Sequence, residues 1–300
     1  MRDVSIGQYY PAKSAVHRLD ARTKIILVIA YIVMLFFVPT LNKYDGNVFS
    51  YMAVLAACYV PVLVFLILAT SLSKVPLIKV LKSLKTIMTL VLITMVITLL
   101  FYAGDAEHMY FSYGIIKISL EGIVTAVAMA LRLFFLVIGP SIMTLTTTPV
   151  ELTDGIESLL KPLSYIKIPV HEFAMIMSIA LRLIPTLSEE TDKIISAQKA
   201  RCADFDSGNI FKKAKAMVPI LVPLLISSFR RADELANAMD SRCYRGAKGR
   251  TKMKISKMKF GDFLAFFVMA VILFCVLALV YDFFVVKSDL HPDPPLSLQN

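Results

Sequence analysis

Two arginines, 41 residues apart, carry the strongest chemical signal in this chain. A guanidinium group is a planar fork that binds a carboxylate or backbone carbonyls with fixed geometry. Each arginine stands between two small residues, so a helix tip bearing it could enter a groove. The pattern predicts two similar docking tips for partner proteins, formed by the triplets Ala200-Arg201-Cys202 and Ser241-Arg242-Cys243.

The residues that precede the two triplets also match. A shift of 41 positions aligns Leu183 with Leu224, Asp192 with Asp233, Ile194 with Leu235, and Ala197 with Ala238. On each copy, steps of three and four residues lead along one helical stripe to the arginine, through Leu187, Thr191, Ile194 and Gln198 in the first and Leu225, Ser228, Ala232, Leu235 and Met239 in the second. The stripe predicts that each arginine extends a packing face. The alternative is a cation that complements the negative helix end, by about 0.3–1 kcal/mol.

Motifs for catalysis and for cofactor binding are missing from the sequence. It holds no GxxxxGK[ST] phosphate loop, no GxSxG, no HExxH and no Asp-rich metal box. Cys58 and Cys275 lie in apolar stretches, whereas Cys202 and Cys243 lie in a polar one, and no CxxC spacing occurs. We therefore expect a protein that is not an enzyme, with no catalytic residue, no metal site and no cofactor of its own.

The elements that must position these residues are apolar helices. Hydrophobic residues make up 57% of the 300 residues, and the mean hydropathy is +0.71. Because a span needs about 20 apolar residues, we predict about five transmembrane helices, near 25–41, 48–70, 87–103, 120–148 and 263–284. An amphipathic interfacial helix is expected at 71–86, and an outer loop with a small hairpin at 104–119. The fold class is an all-α membrane protein with long amphipathic cytoplasmic coupling helices.

Charge divides the chain into three parts. Cations crowd the leader and residues 149–259, within a net charge of +10. The positive-inside rule places the N-terminus in the cytoplasm and the C-terminus outside the cell. We predict an N-terminal membrane bundle of four spans over 1–148, a coupling-helix region over 149–259 with helices near 150–160, 170–201 and 211–242, and a last span with an outer tail over 260–300. Membrane lipids, not nucleic acid, account for the basic balance.

Four further charged residues are structural or coupling candidates. Asp20 is placed to cap the first helix, and Arg22 is a positive flank of that helix. Arg132 lies inside the fourth span, where a charge is costly and faces the protein interior. Its expected partner is Asp154, Glu157 or a lipid phosphate. Arg182 has the same neighbours in sequence, and for both arginines an ion pair is favoured over a place on a transport path.

Three stretches carry a resemblance to a known family: His17 to Lys24, Arg182 to Arg201, and Pro223 to Tyr244. They resemble the transmembrane T component, EcfT, of energy-coupling factor (ECF) transporters. The resemblance implies that each triplet docks into one ATPase subunit, and that Asp192 and Asp233 lie on the coupling helices. That family usually has glycine where Cys202 and Cys243 stand, and proline where Ala21 stands.

The resemblance also implies the partners. They are two ABC ATPase subunits, which hold ATP and Mg, and a substrate-binding S component in the cell membrane. The chain would then be a multi-pass scaffold for the uptake of a vitamin or another micronutrient. Differences between the two helical copies favour an ATPase heterodimer. Three alternatives stay open: a T component dedicated to a cobalt or nickel importer, a self-sufficient secondary carrier, and a membrane-bound enzyme.

Overall fold

A computed structural model describes residues 9–39, 48–101, 109–113, 116–203, 210–246 and 258–290. The chain is an all-α membrane protein, as predicted, apart from one short hairpin. In the described parts the helices are α1 (Ala21–Phe37), α2 (Val48–Ser73), α3 (Leu77–Phe101), α4 (Leu120–Thr146), α5 (Pro149–Leu160), α6 (Val170–Ala200), α7 (Ile210–Ser241) and α8 (Phe260–Leu290), with 3-10 turns at Val16–Arg18 and Lys161–Ile166.

Four stretches of the described chain are long and apolar enough to cross a membrane: Met52–Ser73, Leu120–Thr146, Val170–Ala200 and Phe260–Asp282. Ile87–Phe101 is a shorter apolar helix. The second to fifth predicted spans thus fall on α2, α3, α4 and α8. The first falls on α1, which begins four residues early and has 17 residues, about 25 Å of helix. The third stretch, Val170–Ala200 (α6), matches no predicted span and has the lowest mean hydropathy of the four, 1.4.

The prediction of a separate interfacial helix at 71–86 was wrong. Helix α2 ends at Ser73, and α3 then runs without a break from Leu77 to Phe101. The break lies at Lys74, whose φ of 54° is left-handed, and at Pro76. No proline or glycine follows within α3, so nothing stops the lysine-rich turns from continuing into the apolar ones. The expected hairpin is present as antiparallel strands β1 (Met109–Tyr113) and β2 (Ile116–Ser119).

The chain divides into two compact units. Among the described residues, the first unit takes in 9–148 and 258–290, and the second takes in 149–246.

The first unit is a helical bundle with a hydrophobic core between α1, α2, α4 and α8. Its centre is formed by fully buried side chains from three of these helices: Met34 and Leu35, Val62, and Val276. Helix α3 packs along α4. The rings of Tyr59 and Phe135, 5.4 Å between centroids, close the contact between α2 and α4.

Helices α1 and α4 are held antiparallel by three contacts at seven-residue spacing. Lys24 Nζ donates to Thr146 O at 2.8 Å, the Tyr31 ring lies against Gly139, and Arg132 Nη2 donates to Val38 O at 2.6 Å. Seven residues are close to two helical turns, so the contacts on each helix share one face. The two polar contacts satisfy carbonyls at the C-terminal ends of α4 and α1, which have no partner within their own helix.

The second unit is built on the crossing of α6 and α7. The Glu190 carboxylate accepts hydrogen bonds from the Ser227 hydroxyl and from Arg231 Nη2, the latter at 2.8 Å. Near the start of α6, a side-chain carbon at position 246 would lie 3.9 Å from Glu172 Oε1. The end of α7 therefore lies beside the beginning of α6, and the two long helices run antiparallel. Helix α5 is tied to the first turn of α6 by Glu157 and His171 Nδ1, 3.0 Å apart.

Gly139→Ala should destabilise the bundle. The added Cβ would clash with the ring of Tyr31, and overpacking of this kind costs about 1–3 kcal/mol. Thermal unfolding in mild detergent, followed by the loss of monodisperse protein, measures the change. The double variant Tyr31→Leu/Gly139→Ala should lose less than the sum of the two single variants. A fully additive result would contradict a contact between the two residues.

Glu190→Ala should loosen the α6–α7 crossing without unfolding the chain, since an ion pair that is partly exposed to water contributes little to stability. Spin labels on the exposed Cys202 and Cys243, with Cys58 and Cys275 replaced by alanine, report the distance between the two helix ends. We expect a single distribution in the parent protein and a broader one in Glu190→Ala. The exposed neighbour Glu189→Ala is the control and should leave the distribution unchanged.

Candidate docking site

All six residues of the two triplets are exposed: Ala200, Arg201, Cys202, Ser241, Arg242 and Cys243. Each arginine directly follows the last residue of its helix, since α6 ends at Ala200 and α7 ends at Ser241. Both guanidinium groups are therefore available to a partner. A cation in this position also complements the partial negative charge of the helix C-terminus.

The two helices end with the same hydrogen bonds. After α6, Cys202 N donates to Lys199 O and Ala203 N donates to Gln198 O, both at 3.0 Å. After α7, Cys243 N donates to Asp240 O at 2.8 Å and Tyr244 N donates to Met239 O at 3.1 Å. This pair of bonds defines a Schellman motif, which reverses the chain sharply after the last helical residue. The repeat found in the sequence is thus a repeat of backbone geometry as well.

Both cysteines occupy the left-handed backbone position of that motif. Cys202 has φ of 60° and Cys243 has φ of 53°. Glycine takes this conformation without steric cost, whereas another residue pays about 1–2 kcal/mol. The hydrogen bonds of the motif therefore form in both copies in spite of the larger side chain.

The two tips lie at opposite ends of the second unit. Arg242 lies near the start of α6, because the chain just after it reaches Glu172, whereas Arg201 follows the end of α6. Helix α6 has 31 residues, which corresponds to about 45 Å. The arrangement presents two alike cationic tips, far apart, on one helical pair.

The stripe that leads to Arg242 is largely exposed, whereas the stripe that leads to Arg201 is half-buried. Leu225 is 58% exposed and Leu235 is 39% exposed. The contact of α7 with α6 runs instead through Ser227 and Arg231, a face next to the stripe. The predicted packing face of α7 is therefore open to partners.

The remaining candidates of the second unit are dispersed along it. Arg182, Asp192 and Asp233 are exposed side chains. The two ion pairs found among the described residues, His171 with Glu157 and Arg231 with Glu190, do not include Arg182. The structure brings none of these three residues into a common cluster with the arginine tips.

In the first unit, Asp20 caps α1 as predicted, since its side chain accepts from Arg22 N at 3.2 Å. The side chain of Arg22 is half-buried. Arg132 donates to the carbonyl of Val38, and not to the acid or lipid phosphate expected from the sequence. A carbonyl at a helix end has no partner within its own helix, so it can accept a hydrogen bond in place of a carboxylate.

Two structural residues were missed in the sequence. Lys24 is 5% exposed and donates to both Thr146 O and Thr147 Oγ1, although its position suggested a solvated flank. Asp262 is 1% exposed and accepts from Asp20 N at 2.9 Å and from Lys259 N at 2.6 Å. The only signal for Asp262 was an acid at the first turn of an apolar helix, a common capping position.

Within the described ranges, no group of three His, Cys, Asp or Glu side chains could hold a metal ion.

The chain is similar to known proteins over most of its length. A family model described as cobalt transport protein matches residues 12–253. The energy-coupling factor transporter transmembrane protein EcfT of Clostridium kluyveri is 50% identical over 276 residues, 92% of this chain and 96% of that protein. The protein of the same name from Ruminiclostridium cellulolyticum is 46% identical over 95% of this chain and 100% of its own length.

A more distant relative, the EcfT protein of Bacillus subtilis, is still 41% identical over 85% of this chain and 89% of its own length. The family model spans residues of both units. The chain belongs to the EcfT family of transmembrane proteins of energy-coupling factor transporters.

Proposed function

We propose that this chain is the coupling scaffold of an ECF-type importer, not an enzyme. Arg201 and Arg242 are the contacts through which two ABC ATPase subunits hold it, one at each tip. ATP and Mg are bound by those subunits. Their motion is passed through α6 and α7 to a substrate-binding S component in the membrane.

One observation carries this proposal: two exposed small-Arg-Cys tips with the same Schellman geometry stand at opposite ends of one antiparallel helix pair. A pair of related ATPases offers two related grooves, and two like tips match them one to one. Glu190 on α6 binds Arg231 on α7, so that a displacement at either tip moves both helices. The coupling requires that the partners bind the tips differently in their two states.

The S component is proposed to use the apolar surface of the same helices. Phe173 is 61% exposed and Ile176 is 58% exposed on α6, and Phe229 is 65% exposed on α7. Exposed apolar patches of this kind mark protein or membrane interfaces. The transported substrate is proposed to be a vitamin or another micronutrient, held by the S component and not by this chain.

The chain would lie in the cell membrane with its N-terminus in the cytoplasm and its C-terminus outside, as the charge pattern predicts. Residues 149–259 would then be the cytoplasmic coupling region, although α6 is apolar enough to span a bilayer. Its second half carries Glu189, Glu190, Asp192 and Lys193, which favours a place outside the hydrocarbon. The differing residues of the two helical copies favour two non-identical ATPases.

A second candidate is a T component dedicated to a cobalt or nickel importer, which the description of the matching family favours. Affinity purification in mild detergent separates the two. Several different S components recovered with one chain support the shared scaffold, and a single dedicated substrate binder supports the metal importer. Uptake by the purified chain without ATPases would instead revive a self-sufficient carrier.

Arg201→Ala and Arg242→Ala should each weaken the binding of the ATPases by about 2–5 kcal/mol, because each would leave a buried partner charge unpaired. This corresponds to a loss of affinity of roughly thirtyfold or more. Recovery of ATPase subunits with the tagged chain, and titration of purified ATPases onto it in nanodiscs, measure the change.

The matched controls are Lys199→Ala and Arg245→Ala, which each remove an exposed cation close to one tip. Both should bind ATPases as the parent does. Normal recovery and transport in the double variant Arg201→Ala/Arg242→Ala would refute the docking role.

A further inference from the structure

An apolar cavity of about 300 Å³ lies within the first unit, at one end of its bundle. Its wall comes from the beginnings of α1 and α8, the ends of α2 and α4, and the 3-10 turn Val16–Arg18. Neither the proposed docking of ATPases nor that of an S component at the second unit makes use of it.

The residues that line the cavity are mostly apolar. Twenty residues line the cavity, and only Lys24, Tyr31 and Thr146 among them have polar side chains. Each of these is already engaged: Lys24 at the C-terminus of α4, Tyr31 with Phe135 O, and Thr146 with Ile142 O. Water needs two to four polar partners, so such a cavity stays dry, whereas hydrocarbon binds there.

The size of the cavity suits a chain of hydrocarbon. An apolar cavity of about 150 Å³ accepts benzene, so a volume of about 300 Å³ accepts about twice as many carbon atoms. In a bilayer, the hydrocarbon present in excess is the lipid acyl chain.

Exposed charge near the opening is positive. Arg18 is next to Leu19, Lys74 is two residues after Leu72, and Lys259 is two residues before Gly261; all three cations are exposed, and all three neighbours line the cavity. The nearby acids are buried and accept hydrogen bonds from backbone amides: Asp20 accepts from Arg22 N, and Asp262 accepts from Asp20 N and Lys259 N. These cations would therefore attract an anionic headgroup to this end of the bundle.

We propose that this cavity is a binding site for one anionic phospholipid, with an acyl chain inside the bundle and the headgroup at Arg18, Lys74 and Lys259. The lipid completes the packing between α2, α4 and α8. This site is independent of the proposed coupling function, and its failure would leave the docking tips untouched.

The test uses the full chain in nanodiscs of equal phosphatidylglycerol and phosphatidylcholine, with native mass spectrometry counting the phospholipids retained on release. We expect one retained lipid, with phosphatidylglycerol preferred. Ala69→Phe fills the cavity from α2 and should lower the retention at least fivefold, while Ala56→Phe adds the same ring to an exposed position of α2 outside the wall and should retain the lipid. If Ala69→Phe does not fold, Ala265→Phe fills the cavity from α8.

The double variant Arg18→Gln/Lys259→Gln should abolish the preference for phosphatidylglycerol while a lipid is still retained. A photo-crosslinking residue at Leu72 then identifies the occupant by mass in the assembled transporter. A phospholipid adduct supports the site. No retained lipid in the parent chain, equal retention in the filled variants, or an adduct to a partner protein in place of lipid would overturn it.

Discussion

The hydrogen bonds that Glu190 accepts from Ser227 and Arg231 join α6 to α7 where the two helices cross, and the direction of that crossing decides where the two arginine tips lie. Because the helices run antiparallel, two like C-terminal tips are sent to opposite ends. A parallel pair would present both arginines side by side, to one partner surface. In the proposed function, the antiparallel pair presents one arginine to each of two partners, and the ion pair between Glu190 and Arg231 couples the movements of the two helices.

In the first unit, the C-terminal ends of α1 and α4 lie in apolar surroundings, and their last carbonyls need hydrogen-bond partners. Unpaired carbonyls are costly where water is scarce. Lys24 and Arg132 each bring a cation to such a carbonyl, on Thr146 and on Val38, and the close approach of Tyr31 to Gly139 lies midway between them. One face of α1 and α4 thereby combines polar closure at its ends with tight packing at its centre.

Much of this could be predicted from the sequence, because helices, caps and repeats are local. The limits of α5 to α7, the cap at Asp20 and the paired arginine triplets followed from spacing alone. What could not be predicted depends on distant parts of the chain. The partner of Arg132 lies 94 residues away, and Lys24 looks like any basic flank until α4 is placed beside it. The stripe before Arg242 predicted that Leu225 and Leu235 are buried, but both are exposed. Periodicity shows that one face of a helix is apolar, but it does not show whether this chain or a partner covers that face.

The most direct test of docking at the two tips uses the thiols of Cys202 and Cys243, which directly follow the two arginines. Cys202 and Cys243 are both exposed, so a membrane-impermeant maleimide should label them rapidly in the isolated chain. In the complex with ATPases, docking at both tips predicts that labelling of both cysteines slows at least tenfold, and that it recovers when the ATPases are removed. Unchanged labelling of both thiols in an assembled, transporting complex would contradict the account.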